Sequence, residues 1–277
     1  MHYCLDDLDR LICEDMPYFD LTAKLLDIKN NGTIEFASRE DILLSGNMLV
    51  SSLANRVGLE IVTAKENSKK IKANEPFFKA KGRGEDILTL WKVAQNIFEY
   101  ACGVATYTHK MVSAAKTVNP DIEILTTRKI IPFTKKVALQ AVMDGGAYPH
   151  RITTSETILV FENYIELYGG WERFVEEFKK LKAKSVEKKW VVEAKDMQSA
   201  QKFIDIEVDV LQLDKVDIQT TKKIVNIAKQ KGVKVISAGG VDVSNVKKYA
   251  STGVDAIITT SPYYADRADI KVSIKRG

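Results

Sequence analysis

Five short apolar runs in the second half of the chain end abruptly on residues that can bind or react. IEILTT (122–127) runs into Arg128-Lys129, WVVE (190–193) ends on Glu193, and VLQLD (210–214) ends on Asp214. VKVIS (233–237) ends on Ser237 before Ala238-Gly239-Gly240, and DAIITT (255–260) leads to Thr260-Ser261. Each run is rich in Val, Ile and Leu, and a helix-like stretch separates it from the next. Such runs fit strands buried on both faces of a parallel sheet, with helices as the crossovers. Parallel strands share one direction, so in an α/β barrel the groups at their C-terminal ends meet at one mouth. Two carboxylates, several cations and a Gly-Gly turn would converge there. That set suits an anionic, phosphorylated substrate handled with a divalent metal.

Six strand-helix units are expected, with strands near 122–127, 157–161, 189–193, 209–213, 233–237 and 255–259. Helices are expected near 135–144, 170–184, 196–205, 217–231 and 242–251, with Asp217 and Asp242 as N-caps. Six strands are fewer than the eight of a complete barrel, which leaves an incomplete barrel or an open sheet. The first half has a different rhythm. Helical spacing over 5–16 and 46–57 and strands at 33–39, 59–64 and 76–81 make a small α+β unit. A long helix over 84–103 and a second over 107–118 follow. The alternating tail ADIKVSIK (268–275) reads as an edge strand returning to the first domain. The boundaries are then 1–105, with 266–277 returning, and 106–265.

Composition narrows the function. The net charge is only +4, and the basic residues are spread along all 277 positions. The densest run, Lys179 to Lys189, is interleaved with Leu181, Ala183 and Val186, as on a solvated helix face. No aromatic-basic stripe or reader motif points to nucleic acid. The three cysteines, Cys4, Cys13 and Cys102, form no close pair and imply no disulfide framework. The acidic start, MHYCLDDLDR, lacks an apolar signal core, and no apolar run approaches the ~20 residues that span a bilayer. Cytoplasmic location without membrane attachment is the expectation.

Adjacent cations at a strand end, Arg128 and Lys129, can hold an anion by a bidentate fork and a point charge. A second pair, His150-Arg151, follows the turn Gly145-Gly146. Glu193 and Asp214 end neighbouring strands and can share Mg²⁺ with substrate phosphates; salt bridges to the basic pairs are the structural alternative. In Ser237-Ala238-Gly239-Gly240 the glycines bare backbone N–H groups as in a phosphate cradle.

These residues carry a family resemblance. Glu14-Asp15 with FDLT (19–22), QNIFEYACGVAT (95–106), TRKIIP (127–132), GGAYPHR (145–151), VVEA (191–194), LQLD (211–214), SAGG (237–240) and YASTGVD (249–255) occur in one order over nearly the whole chain. In that order and spacing the chain resembles the quinolinate phosphoribosyltransferase (nicotinate-nucleotide pyrophosphorylase) family. WKVAQN (91–96), ILVFEN (158–163) and TTSPYYADRADIKV (259–272) bring it nearest the ModD branch, named for its association with molybdenum-transport genes.

The resemblance implies an N-terminal α/β sandwich joined to an incomplete α/β barrel, in a homodimer whose subunits share active sites. It implies transfer of phosphoribose from phosphoribosyl pyrophosphate to the nitrogen of a small heterocyclic acid. By position, Arg128, Lys129, His150 and Arg151 would hold the anionic substrates. Glu193 and Asp214 would face the ribose and its Mg²⁺, with Lys129, Glu193 and Asp214 forming the catalytic set. Ala238, Gly239 and Gly240 would cradle the 5′-phosphate, helped by Thr260 and Ser261, and Ser237 would join the substrate-binding residues. Three positions depart from the quinolinate pattern. Phe161 stands where a lysine is expected, Lys92 where an arginine would reach across the dimer, and Pro132-Phe133 where Pro-Gly is expected. The phosphoribose half of the site is kept and the acceptor half is altered. A Schiff-base lyase using Lys129 and a non-catalytic binder of a phosphorylated or oxyanion ligand, linked to molybdenum handling, are the alternatives.

Overall fold

The computed structural model describes all 277 residues. The chain opens with α1 (Leu5–Asp15) and α2 (Leu21–Leu25), then β1 (Asn31–Ser38), β2 (Ile42–Leu43), α3 (Asn47–Arg56), β3 (Glu60–Ala64), β4 (Lys70–Ile71) and β5 (Pro76–Arg83). The long α4 (Gly84–Lys116) leads to β6 (Glu123–Thr126), α5 (Lys135–Asp144) and β7 (Tyr148–Pro149). Alternation follows: β8 (Ile158–Val160), α6 (Glu162–Tyr168), α7 (Trp171–Ala183), β9 (Trp190–Ala194), α8 (Met197–Asp205), β10 (Val210–Asp214), α9 (Ile218–Gln230), β11 (Lys234–Ala238), α10 (Val246–Ala250) and β12 (Ala256–Thr259). The last element is β13 (Ile270–Arg276). No helix is long and apolar enough to cross a membrane.

Two compact units result. The first comprises Met1–His109, Ile131–Gly146 and Tyr263–Gly277; the second comprises Lys110–Ile130 and Ala147–Pro262. Beside the expected division, 1–105 with 266–277 returning and 106–265, these units differ mainly in that α5 groups with the first. Local chemistry explains this. Asp144, at the end of α5, accepts hydrogen bonds from Ser45 Oγ at 2.6 Å and Asn67 Nδ2 at 2.8 Å. Lys136 pairs with Asp7 at 2.6 Å.

In the first unit an antiparallel sheet runs in the order β13-β1-β5-β3. Alternation along β1 buries Ile34 and Phe36, and Phe36, Phe77 and Phe78 pack around Phe98 of α4. The tail returns as expected, with Ile274 opposite Ile34 and Val272 opposite Phe36. The two helices expected at 84–103 and 107–118 are one. Gly103 does not end α4; it is where another segment comes close, since a Cβ there would collide with the Asp266 carbonyl oxygen.

The second unit holds a parallel sheet in the order β7-β6-β12-β11-β10-β9-β8. It has seven strands, not six. The extra one, β7, spans only Tyr148 and Pro149, too short to show periodicity, and Pro149 has no N–H to offer a further neighbour. β7 and β8 are unpaired edges, so the barrel is incomplete. Its inner face is a cluster of Leu159, Val191, Val210, Ile236, Ala238, Ala256 and Ile258, bordered by Leu125 and Phe161. Each buried Val, Leu or Ile there contributes about 1.5–3 kcal/mol, enough to hold the strand ends as a firm rim. Asp217 caps α9 by accepting from Gln219 N and Thr220 N at 3.0 Å. Asp242 instead folds a turn, accepting from Ser244 N at 2.8 Å, and α10 starts only at Val246.

Candidate active site

A cavity of about 570 Å³ opens at the C-terminal rim of the parallel sheet, lined wholly by the second unit. β6 delivers Thr127, Arg128 and Lys129, and the segment after β7 delivers His150 and Arg151. Phe161 follows β8, Glu193 lies in β9, and Gln212 and Asp214 lie in β10. β11 ends in Ala238, Gly239 and Gly240, and β12 leads to Thr260 and Ser261. Ser237 is buried and does not line the cavity. Lys92 lies on α4 in the first unit, exposed, 4.6 Å from the Trp91 ring centroid and 3.2 Å from Gln95 Oε1.

The rim hydroxyls are ordered by one another. Thr127 Oγ1 and Thr260 Oγ1 are 2.9 Å apart, and Lys129 N donates to Thr127 Oγ1 at 3.1 Å. Ser261 N donates to Thr259 Oγ1 at 3.0 Å. In the glycine turn, Gly239 has φ +87° and Gly240 φ +71°. Consecutive left-handed residues of this kind are open to glycine at little cost. A Cβ on Gly239 would lie 2.5 Å from Lys215 Cγ and 2.7 Å from Asp214 Oδ1, so the turn presses against the end of β10. The helix after the turn is a five-residue one, so the cradle is a property of the loop backbone. Gly239→Ala is expected to cost roughly 1–3 kcal/mol, read as a lower urea midpoint. Gly240→Ala meets nothing within 4 Å and should cost less.

The charges in this cavity are not mutually neutralised. Neither Glu193 nor Asp214 forms a salt bridge, so the structural alternative for them fails. Lys195, whose charge bears on both carboxylates, is taken by Glu162. Burial, then the nearby Asp214 carboxylate, pushes the Glu193 carboxyl upward; Gln212, Lys195 and Lys129 oppose the shift. Arg151 is 7% exposed and has no salt bridge. Burial first, and Arg128 second, hold its guanidinium below the usual arginine value. Burial and Arg151 likewise lower His150, which favours a neutral imidazole at pH 7. Two half-buried carboxylates on one wall and a buried cation on another suit a ligand that carries both signs of charge. The carboxylate pair fits Mg²⁺, which takes one or two protein carboxylates and completes its shell with phosphate oxygens and water.

Sequence reasoning missed Gln212 and Lys215. Gln212 was visible as the one polar residue inside VLQLD, at an inward position of a buried strand. Lys215 gave no signal; its φ of +56° emerges only from the turn that follows Asp214.

Comparison with known proteins agrees with this geometry. Residues 20–102 match the family model described as "Quinolinate phosphoribosyl transferase, N-terminal domain", and residues 104–273 match its C-terminal counterpart. A Pasteurella multocida protein with the provisional name pyrophosphorylase ModD is 32% identical over 279 residues, covering 100% of this chain and 99% of its own. Its namesake from Escherichia coli O157:H7 is 34% identical, covering 97% and 95%. The solved nicotinate-nucleotide pyrophosphorylase of Francisella tularensis superposes with a TM-score of 0.89 at 26% identity, covering 99% of this chain and 98% of that one. Matched over both of its domains, the chain belongs to the quinolinate phosphoribosyltransferase family and is a phosphoribosyltransferase.

Proposed function

We propose that the chain transfers phosphoribose from Mg²⁺-bound phosphoribosyl pyrophosphate to a ring nitrogen of a heterocyclic acid less rich in carboxylates than quinolinate. The observation that carries this is one rim presenting a carboxylate pair and a buried arginine, none of them in a salt bridge, together with a left-handed glycine turn. Backbone N–H groups of Gly239 and Gly240, with the Thr260 and Ser261 hydroxyls, hold the 5′-phosphate. Glu193 and Asp214 face the ribose. Arg128 and Lys129 take the leaving pyrophosphate, whose oxygen keeps the electron pair of the broken C1–O bond. The acceptor nitrogen supplies the pair for the new C1–N bond. Carboxylates aimed at the positive charge growing on the ribose act where charge develops, usually the largest catalytic contribution. Bound Mg²⁺ would add charge neutralisation on the pyrophosphate. Arg151 and His150 orient the acid, and Phe161 gives its ring an apolar wall.

Calorimetry tests the phosphoribose half. Phosphoribosyl pyrophosphate is expected to bind more tightly with Mg²⁺ than without, and Glu193→Ala or Asp214→Ala should flatten that difference. Equal affinity with and without Mg²⁺ in the wild type would count against the assignment. Turnover with any acceptor excludes a binding-only protein.

The family resemblance also supports a cytoplasmic homodimer with Lys92 acting on the partner's site. Mixing Lys92→Ala and Arg128→Ala subunits should then restore part of the activity, because one site in each hybrid is intact. Verified hybrids without rescue would mean that each site is built within one chain.

A further inference from the structure

Gln212 has no part in the chemistry assigned so far, yet it sits in a place where an amide is out of keeping. It is 5% exposed. In register it lies between Glu193 of β9 and Ile236 of β11. Two residues back along the same face is Val210, which joins Leu159, Val191, Ile236 and Ile258 in the apolar lining of the barrel. Its Nε2 donates to Glu193 Oε2 at 2.9 Å. Its Oε1 is buried and has no hydrogen-bond partner. With an ionised Glu193 the reverse amide orientation would set oxygen against carboxylate, so the polarity of the bond assigns the orphan to Oε1.

A buried carbonyl without a donor is a liability to the fold, and an apolar side chain of similar volume would avoid it. The single bond that the amide gains is to the carboxylate that faces the ribose. We infer that Gln212 is the positioning residue of the site: it fixes the Glu193 carboxylate toward phosphoribosyl pyrophosphate, and it is retained at the expense of fold stability. One Glu193 oxygen is held by the amide, which leaves the other to turn to the ligand. Without the amide the carboxylate is free to rotate and its lone pairs are no longer aimed. Outer partners of this kind typically change affinity by about 10- to 100-fold when removed.

The inference rests on the phosphoribosyl pyrophosphate reading of the cavity, and two independent measurements separate their fates. Gln212→Met removes both amide atoms at similar volume. Calorimetry with Mg²⁺ and phosphoribosyl pyrophosphate should show affinity reduced about 10-fold or more. Thermal melting of the ligand-free protein should show an unchanged or higher Tm. In a Glu193→Gln background the same substitution should change affinity less than about twofold, because coupled residues are not additive. Failure of the wild type to bind phosphoribosyl pyrophosphate would overturn the reading of the cavity and Gln212's role with it. Wild-type binding that Gln212→Met leaves intact would overturn the role of Gln212 alone. So would a Tm lowered by more than about 4 °C, or effects that simply multiply in the double variant, since the amide would then serve the fold.

Discussion

Replacing Arg151 by Met is expected to weaken binding of a heterocyclic carboxylate by about 10²-fold or more while leaving the ligand-free protein as stable as before or more so. Loss of a buried charge partner typically costs a complex about 2–5 kcal/mol. In the free protein the same guanidinium is 7% exposed and has no salt bridge. The nearby acid, Glu156, already accepts from Ile152 N at 2.7 Å. A buried cation without a partner weighs against the folded state, and an apolar side chain of similar length relieves it. Titration of a pyridine carboxylate into wild type and variant, beside a melting curve of each, checks both halves. A variant that melts much lower would show that Arg151 is held for the fold. A variant that binds as tightly would remove it from the acceptor site.

Quinolinate itself should be turned over poorly. Its two carboxylates need two cations in a site shielded from water, and a buried carboxylate left unpaired is costly. Phe161, in the lining where the resemblance implies a lysine, cannot pair with one; its ring borders the apolar inner cluster and stacks near Tyr164 at 6.2 Å. If Lys92 reaches a partner's site, as the resemblance implies, it would offer a point charge where an arginine fork would bind in two places. Steady-state formation of nicotinate mononucleotide by the wild type is the measurement. A kcat/KM of about 10⁴ M⁻¹s⁻¹ or more, ordinary for an enzyme on its own substrate, would restore quinolinate as the acceptor. Phe161→Lys with Lys92→Arg should shift activity toward quinolinate.

The site was more legible than the framework that carries it. Apolar runs that stop at Glu193, at Asp214 and just before Arg128 announce themselves, because burying a charge without a partner is costly. The glycine turn after Ser237 could be seen in the same way. What escaped was set by contacts distant in sequence. Gly103 looks like a helix end until Asp266 is placed beside it. β7 is a strand only because Leu125 lies opposite Tyr148. α5 has the same periodicity whichever unit it joins, and Asp144's bonds to Ser45 and Asn67 decide the matter. Gln212 was readable as an oddity, but its orphaned oxygen required coordinates.

The way the two units share the chain has a consequence for synthesis. The backbone passes between them four times, and the first unit closes only when β13 pairs with β1. During translation β1 emerges early and must wait for residues 270–276 before that edge is covered. The second unit has its last strand by Thr259 and needs nothing from the tail for its sheet. Domains usually fold in the order in which they leave the ribosome. Here the half that is born first is the last to be complete, and the β1 edge of its sheet, a row of unpaired N–H and C=O groups, is open through most of the chain's manufacture.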